Sequence, residues 1–220
     1  MGLLLGIDEA GKGPVIGPLI IAGCLVDEKD EEKLKALGVR DSKELTPRQR
    51  ENLFSKITAV CKDYYIAGIS SKQLNAEMGI INLNQIELAR VAKVVNHFKD
   101  EKPKLIIDSF EANTVKFAEK LRKLLDNKDM EIVSENRADK NFPIVGAASI
   151  IAKVTRDCEI KKLHEKYGDF GSGYPADPRT INFLNKLDEK EFPEIVRMKW
   201  STCERILEDR RHKQKGLGEF

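Results

Sequence analysis

The stretch that most constrains the fold lies near the start of the chain, where a short apolar run leads into two carboxylates and a glycine-rich turn. Residues 3–7 are apolar, Asp8 and Glu9 follow, and residues 11–14 read Gly-Lys-Gly-Pro. A brief apolar run bounded by glycine is typical of a buried strand rather than a helix. Because buried carboxylates are costly without a counter-charge, the stretch favours a divalent cation with oxygen ligands. A strand end with solvated acids is the alternative that the stretch alone leaves open.

The same stretch matches a phosphate-binding P-loop only in part. Residues 6–12 fit most of that pattern, but Gly13 stands where a serine or threonine would hold the metal. Asp8 and Glu9 would repel the phosphates, and Pro14 opposes the helix that should follow. The sequence therefore argues against a nucleotide-binding P-loop.

Composition limits the class of protein and its partners. With 220 residues, of which 41% are hydrophobic and 34% charged, the chain suits one domain, or one domain with a helical appendage. A net charge of +2 requires any nucleic-acid affinity to come from local clusters of Lys and Arg. The dispersed cysteines predict buried free thiols in a reducing cytosol rather than a disulfide framework or a zinc site. Without a visible signal peptide or membrane span, we expect a cytoplasmic protein.

The order of predicted strands and helices indicates an α/β fold. Strands are predicted at 3–7, within 15–26, and at 64–69, 105–108 and 131–133. Helices are predicted at 31–37, 47–60, 83–98, 115–125, 143–166, 180–187 and 202–211. Early strands in succession favour antiparallel pairing, whereas the later alternation favours parallel strands joined by crossover helices. Functional residues are then expected at the carboxyl ends of the parallel strands.

Carboxylates occupy several of those strand ends. Asp8 and Asp108 each follow an apolar strand, and Asp139 follows the last strand. If the first and fourth strands are parallel neighbours, these acids and Glu9 meet at one edge of the sheet. Four carboxylates without a suitable His or Cys predict a hard metal, Mg²⁺ or Mn²⁺, and a raised pKa for at least one acid. The matching chemistry is metal-assisted phosphoryl transfer.

Five blocks in order along the chain carry a family resemblance. They are G-I-D-E-A-G-K-G-P (6–14), D-S-K-x-L-T (41–46), I-I-D-S-F (106–110), A-D-K-x-F-P-I-V-x-A-A-S-I-I-A-K-V-T-R-D (138–157) and G-S-G-Y-P-x-D-P (171–178). Together they resemble ribonuclease HII, the type 2 ribonucleases H, in the archaeal type. The resemblance implies a ribonuclease H-like fold with a mixed five-stranded sheet flanked by helices. It also implies a catalytic domain at 1–178 and a C-terminal helical extension at 179–220 packed on it.

The same resemblance implies the activity and the site residues. The expected reaction is endonucleolytic hydrolysis of the RNA strand of RNA–DNA hybrids, including cleavage 5′ of a single embedded ribonucleotide, leaving 3′-OH and 5′-phosphate ends. The implied catalytic and metal-binding residues are Asp8, Glu9, Asp108 and Asp139. The backbone of the glycine turn, residues 11–13, is implied to contact the 2′-hydroxyl, and Tyr174 to stack on the sugar at the RNA-to-DNA junction. The substrate-binding residues expected in all are Gly11, Lys12, Gly13, Lys43, Ser149, Lys153, Arg156 and Tyr174.

Several alternatives stay open at this point. The charged residues among the expected substrate-binding residues either contact phosphates or are solvated surface charges, and the same two alternatives apply to the basic run at 210–215. A type 3 ribonuclease H or a catalytically silent hybrid-binding module shares the fold, whereas a small-molecule phosphohydrolase would need a D-x-D nucleophile that Asp8-Glu9 does not provide. The expected partners are RNA–DNA hybrid and ribonucleotide-containing duplex DNA. We expect a monomer without a membrane partner, and recruitment by a replication clamp is left open.

Overall fold

The computed structural model describes residues 2–39 and 45–217, and the side chains of Pro193 and residues 213–217 lie outside that description. Its strands are β1 (Leu3–Ala10), β2 (Leu19–Asp27), β3 (Asp63–Ile69), β4 (Lys104–Asp108) and β5 (Ile132–Glu135). Its α-helices are α1 (Glu31–Ala36), α2 (Pro47–Val60), α3 (Ser71–Glu77), α4 (Leu83–His97), α5 (Thr114–Leu124), α6 (Ala138–Asn141), α7 (Pro143–Tyr167), α8 (Pro178–Lys186), α9 (Phe192–Ile195) and α10 (Ser201–Leu217). Every predicted strand and helix is present, with shifted ends.

Within the described ranges, five strands form one mixed sheet in the order β3-β2-β1-β4-β5. β1 pairs with β2 in antiparallel fashion, and β4 pairs in parallel with both β1 and β5. The chain between β4 and β5 contains α5, as a parallel crossover connection requires. The predicted mixed five-stranded sheet is confirmed.

β1 is longer than the sequence indicated. The apolar run predicted a strand that ends at Ile7, but the strand continues to Ala10 and its acids pair through their backbone with β2. The prediction was wrong because it ended the strand where the apolar side chains end, whereas backbone pairing with the buried β2 extends it. Since side chains alternate between the faces of a strand, Asp8 is buried while Glu9 is half-buried.

Gly6 sets the distance between β1 and α7. A Cβ at this position would overlap the backbone carbonyl of Ile144 in the first turn of the helix, so the close approach requires glycine. Small and branched side chains of α7, including Ala147 and Ile151, are fully buried in the same core. Asp8 lies two residues beyond Gly6 and therefore shares its face of the strand, directed toward α7.

The chain divides into two compact units. The first unit comprises residues 1–10, 20–68 and 84–157, and the second comprises residues 11–19, 69–83 and 158–220. The expected division into 1–178 and 179–220 stays a prediction, since compact units of this kind are not by themselves separate domains. The observed division places the glycine turn with the C-terminal part of the chain.

The second unit is held together by backbone hydrogen bonds between distant segments. The Val15 N–H donates to the Gly173 carbonyl over 2.8 Å, and the Arg197 N–H donates to the Val15 carbonyl over 2.8 Å. Phe170 and Phe192 are fully buried in an apolar core of this unit. These contacts explain why residues 11–19 group with the C-terminal segment rather than with the strands that they connect.

Two of the dispersed cysteines meet in the first unit. The sulfur atoms of Cys24 and Cys61 lie 2.6 Å apart, and both residues are free thiols, as predicted. The predicted burial holds for Cys24 and Cys203 but is wrong for Cys158, which is exposed on α7. The hydrogen bond of Cys24 with Cys61 and its burial raise the pKa of the Cys24 thiol well above its usual value. None of the described helices has the length and apolar character needed to cross a membrane.

Candidate functional site

Two of the predicted acids are brought together by the register of parallel strands. Ile7 of β1 is the partner of Ile107 of β4, so Asp8 and Asp108 are the next residues on the two strands. Asp8 is only 6% exposed, and Asp108 is half-buried. Because successive residues of parallel neighbours stay in register, these carboxylates form a pair, here called the acid pair. The predicted convergence of the first and fourth strands is thereby confirmed.

Asp8 of the acid pair has a raised pKa. The pKa of Asp8 is raised from 3.8 to about 6, mainly by burial and to a smaller extent by the negative charge of Asp108. A hydrogen bond with Ser149 and the positive charge of Lys153 act in the opposite direction. The sequence predicted a raised pKa for at least one acid, which is confirmed, but burial is its main cause and repulsion between carboxylates a smaller one.

Ser149 and Lys153 lie one turn apart on α7 and contact each other. The Lys153 ammonium donates to the Ser149 hydroxyl over 2.6 Å. Ser149 is fully buried and Lys153 half-buried. Both residues act on Asp8, a position that the prediction of DNA-phosphate contacts did not anticipate. Their contact with phosphate stays a prediction, as does that of Arg156, which is buried further along the same helix.

The other two predicted acids are linked to the acid pair through backbone hydrogen bonds. Asp139 is buried on the short helix α6, and the N–H of the preceding Ala138 donates to Asp108 Oδ1 over 3.1 Å. The Glu9 N–H donates to Asp8 Oδ1 over 2.8 Å, while its side chain lies on the other face of β1. The backbone around each of these acids thus supports a carboxylate of the acid pair.

A divalent cation fits the chemistry of the acid pair. A buried carboxylate with a raised pKa beside a second carboxylate is an environment that such a cation would stabilise, and carboxylate oxygens are ligands that Mg²⁺ and Mn²⁺ prefer. Within residues 2–39 and 45–217, no group of three or more His, Cys, Asp or Glu side chains is arranged to hold a metal ion. Convergence of all four acids on one cation therefore stays a prediction, and the acid pair is the part that is observed.

The glycine turn and Tyr174 lie together in the second unit. Gly11 has a φ of 93°, which favours glycine, and a Cβ on Gly13 would lie 3.5 Å from Cε1 of the Tyr174 ring. Gly13 is exposed and Tyr174 is 42% exposed. Lys12 is half-buried between the two glycines. The sequence resemblance assigned these residues to one substrate, and the structure makes Gly13 and Tyr174 neighbours.

The loop that carries Tyr174 is fixed by two side chains that the sequence did not single out. Asp177 accepts hydrogen bonds from the N–H groups of Ser172 (2.8 Å) and Arg179 (3.0 Å), which hold the pKa of Asp177 below its usual range. The Thr180 hydroxyl accepts from the Gly173 N–H over 3.0 Å. An Asp before Pro178 at the start of α8 is a typical N-cap, and that signal could have identified Asp177.

Other predicted contacts fall outside the described residues or are engaged elsewhere. Lys43 lies outside the described ranges. Within the basic run, Arg210 donates to the carbonyls of Leu184 and Leu187 and stacks on Phe192, so it stabilises the second unit. Arg211 and His212 are exposed, and the substrate contact of this run stays a prediction.

Comparison with known proteins places the chain in a family. The family model described as ribonuclease HII matches residues 5–203. Ribonuclease HII of Pyrococcus furiosus is 44% identical over 96% of this chain and 94% of its own length. The crystal structure of ribonuclease H2 from Pyrococcus horikoshii superposes with a TM-score of 0.87 at 43% identity, covering 95% of this chain and 99% of that one. Ribonuclease HII of Archaeoglobus fulgidus, solved as a complex with PCNA, superposes with a TM-score of 0.80 at 38% identity, covering 90% and 95%.

These matches agree with the observed fold. They are to type 2 enzymes and span nearly the whole of both chains. The chain therefore belongs to the ribonuclease HII family, has the ribonuclease H-like fold and is a ribonuclease H.

Proposed function

We propose that this ribonuclease H hydrolyses the RNA strand of RNA–DNA hybrids and also cuts 5′ of single ribonucleotides embedded in duplex DNA. The products are a 3′-hydroxyl and a 5′-phosphate. The observation that carries the chemistry is the acid pair, in which a buried Asp8 with a raised pKa lies beside Asp108 on a parallel strand. Such a pair is suited to a divalent cation at a phosphodiester, and family membership supplies the class of substrate.

The cation is Mg²⁺ or Mn²⁺, and Asp8, Glu9, Asp108 and Asp139 are the residues that would hold it. When bound, it supplies positive charge for the phosphate oxygens and makes a bound water more acidic. Lys153 and Ser149 favour the ionised form of Asp8, which is the form that binds a cation. The Ala138 N–H orients Asp108 through its hydrogen bond to Oδ1.

Recognition of the ribonucleotide is assigned to the second unit. Gly13 is exposed and has no side chain, so its backbone can approach a 2′-hydroxyl closely. The exposed ring of Tyr174 next to it offers a flat apolar face for a sugar or base. The 2′-hydroxyl is the group that separates RNA from DNA, so these two residues give the enzyme a means of selecting a ribonucleotide.

The protein is further proposed to act as a monomer in the cytoplasm. The Archaeoglobus fulgidus relative was solved with PCNA, so association with a sliding clamp is a reasonable property to test for this chain. Gel filtration of the two proteins together decides it: co-elution supports association, and separate elution contradicts it.

One assay tests the proposed chemistry and its metal dependence. A duplex with a single ribonucleotide and a continuous RNA–DNA hybrid are incubated with the protein in Mg²⁺, Mn²⁺ or EDTA. We expect both to be cut with either metal and neither to be cut in EDTA. Asp108→Asn should lose activity by about a thousandfold, because it removes one of two carboxylates from the site. Asp100→Asn, at an exposed carboxylate, is the matched control and should retain full activity.

The opposite outcomes have distinct meanings. Cleavage that survives EDTA, or persists in Asp108→Asn, contradicts the metal mechanism. Cleavage of the hybrid without cleavage at the single ribonucleotide contradicts the wider substrate range and leaves the ribonuclease H activity intact.

A further inference from the structure

Arg197 is the largest fully buried side chain among the described residues, and the proposed chemistry does not use it. It lies between α9 and α10 with none of its side chain exposed to solvent. A guanidinium is charged at all ordinary pH values and is seldom buried without several acceptors. The hydrogen-bond acceptors of this guanidinium therefore show which segments of the second unit it stabilises.

The Arg197 side chain binds both ends of the segment that contains the glycine turn. Its Nε donates to the Gly17 carbonyl over 2.9 Å, and its Nη1 donates to the Lys12 carbonyl over 3.1 Å. The guanidinium also lies 4.8 Å from the centroid of the Trp200 ring, within the range of a cation–π interaction. One planar group thus fixes two carbonyls that are five residues apart in the chain.

The Gly17 end of this segment has further support. The Gly17 N–H donates to the Ile195 carbonyl over 3.0 Å, and the Ser71 hydroxyl donates to the Gly17 carbonyl over 3.1 Å. Ile16 also forms a β-bridge with Val196. At the other end, Lys12 stands between two glycines, the residue type with the greatest backbone freedom. The hydrogen bond from Arg197 to the Lys12 carbonyl therefore restricts the part of the segment that has the greatest backbone freedom.

The direction of the Lys12 carbonyl determines what the turn presents to a ligand. In a trans peptide the carbonyl of one residue and the N–H of the next point in opposite directions, and the described chain contains no cis peptide bond. Because Arg197 holds the Lys12 carbonyl toward the protein interior, the Gly13 N–H is directed away from the guanidinium. Gly13 is exposed, so this N–H is available as a donor to a substrate oxygen.

We propose that Arg197 is a positioning residue for ribonucleotide recognition. It holds the glycine turn in the conformation that offers the Gly13 N–H to the 2′-hydroxyl, and so sets how well the enzyme distinguishes a ribonucleotide from a deoxyribonucleotide. This inference rests on the proposed role of the glycine turn. An arginine is needed because two carbonyls must be bound at once by N–H groups in fixed directions, which the single ammonium of a lysine cannot do.

The test compares two constants measured in Mg²⁺ with the intact protein. One is the KM for a duplex with a single ribonucleotide, and the other is the inhibition constant of an all-DNA duplex of the same sequence. The inhibition constant divided by the KM reports discrimination by the 2′-hydroxyl, and this ratio is not changed by a general loss of folded protein. We expect Arg197→Lys to reduce this ratio about tenfold, the effect of one charge-assisted hydrogen bond. Arg205→Lys, at an exposed arginine of α10, should leave the ratio unchanged.

A second substitution separates this inference from the function on which it rests. Gly13→Ala places a methyl group in ordinary contact with Tyr174 and obstructs the approach of the substrate. If Gly13→Ala leaves the ratio unchanged, the proposed role of the glycine turn fails. If Gly13→Ala reduces the ratio while Arg197→Lys does not, the role of Arg197 fails alone. If both reduce it, the double substitution should lower it little further, because both act on one turn.

A substitution of Trp200 decides the matter if Arg197→Lys does not fold. Trp200→Leu keeps Arg197 but removes the ring that contacts its guanidinium, so the directions of its two hydrogen bonds to Gly17 and Lys12 are less well fixed. We then expect a smaller reduction of the same ratio with a cooperative thermal transition. An unchanged ratio in a folded Trp200→Leu protein overturns the inference.

Discussion

The acid pair of the first unit and the glycine turn of the second unit are held by opposite kinds of interaction. Asp8 is fixed by regular strand pairing and by burial that works against its charge. The glycine turn has no regular pairing of its own and is fixed by hydrogen bonds from the distant Arg197. In the first unit, regular strand pairing holds Asp8 at a position where burial disfavours its charged form. In the second unit, a turn that contains two glycines, the residue type with the greatest backbone freedom, is held by the side chain of a residue far away in the chain. Substitutions should therefore affect the two regions in different ways.

The largest effect is expected at Asp8, where activity and stability should change in opposite directions. Asp8→Asn removes a carboxylate from the cation site, so activity should fall by about a thousandfold. The pKa of Asp8 is about 6 in the folded protein against 3.8 for the ordinary group, so the folded state holds the extra proton between these values. The free energy of unfolding contributed by Asp8 therefore falls as pH rises through this window.

The same substitution should stabilise the protein above that window. At pH 8 in EDTA, Asp8→Asn is expected to raise the free energy of unfolding by on the order of 2 kcal/mol, and the gain should vanish near pH 4. Urea denaturation at the two pH values measures it. A variant that is less stable than the wild type at pH 8 would show that burial does not work against Asp8.

The next effect is expected at Tyr174, where substrates should be affected unequally. Tyr174→Ala removes the exposed ring beside Gly13. We expect kcat/KM on a single embedded ribonucleotide to fall by about tenfold to a hundredfold, the effect of one lost stacking contact, with a smaller change on a continuous hybrid. Tyr174→Phe keeps the ring and serves as the control. An equal loss on both substrates would assign Tyr174 to packing of its loop.

A smaller effect is expected at Lys153, and it should appear as a shift with pH. Lys153 lowers the pKa of Asp8, so Lys153→Met should raise that pKa further. Because protonated Asp8 does not bind a cation, activity is expected to fall as pH drops toward 6, and in the variant this fall should begin at a higher pH. The pH profile of kcat/KM at fixed metal concentration measures the shift. Lys161→Met, at an exposed lysine of the same helix, should keep the wild-type profile.

The smallest effect is expected at Asp177, which stabilises the Tyr174 loop without contacting substrate in the proposed function. Asp177→Ala removes the acceptor for two backbone N–H groups and the cap of α8. We expect a roughly threefold rise in the KM for a single-ribonucleotide duplex with kcat unchanged. Since the pKa of Asp177 is lowered, its contribution to the loop should be lost in the wild type only as pH falls below about 4. A loss of kcat instead of a rise in KM would contradict this role.

The sequence was sufficient for features that depend on local pattern. The apolar runs before Asp8 and Asp108 predicted the two strands, because a short apolar run is a local signal. The sequence left their parallel pairing as a condition, which the structure meets. Thr46 and Pro47 predicted the start of α2, and the observed Thr46 cap confirms it. Likewise, adjacent motif residues such as Gly13 were assigned correctly to a turn.

Features that depend on packing between distant segments could not be predicted. Ser149 and Lys153 were expected to contact DNA phosphates, yet Ser149 hydrogen-bonds to Asp8 and the charge of Lys153 acts on the same carboxylate. Nothing in the residues around Arg197 indicates that its guanidinium reaches back to Lys12 across 185 positions. Such contacts are determined by the tertiary fold and have no local sequence signal.

In the proposed function, the acid pair binds a divalent cation, and the glycine turn and Tyr174 do not contribute to this binding. Calorimetric titration with Mn²⁺ in the absence of nucleic acid tests it directly, using the wild type, Asp108→Asn and Tyr174→Ala. We expect the wild type and Tyr174→Ala to bind Mn²⁺ with equal affinity and Asp108→Asn to show no measurable binding. Unchanged Mn²⁺ binding by Asp108→Asn would contradict the account.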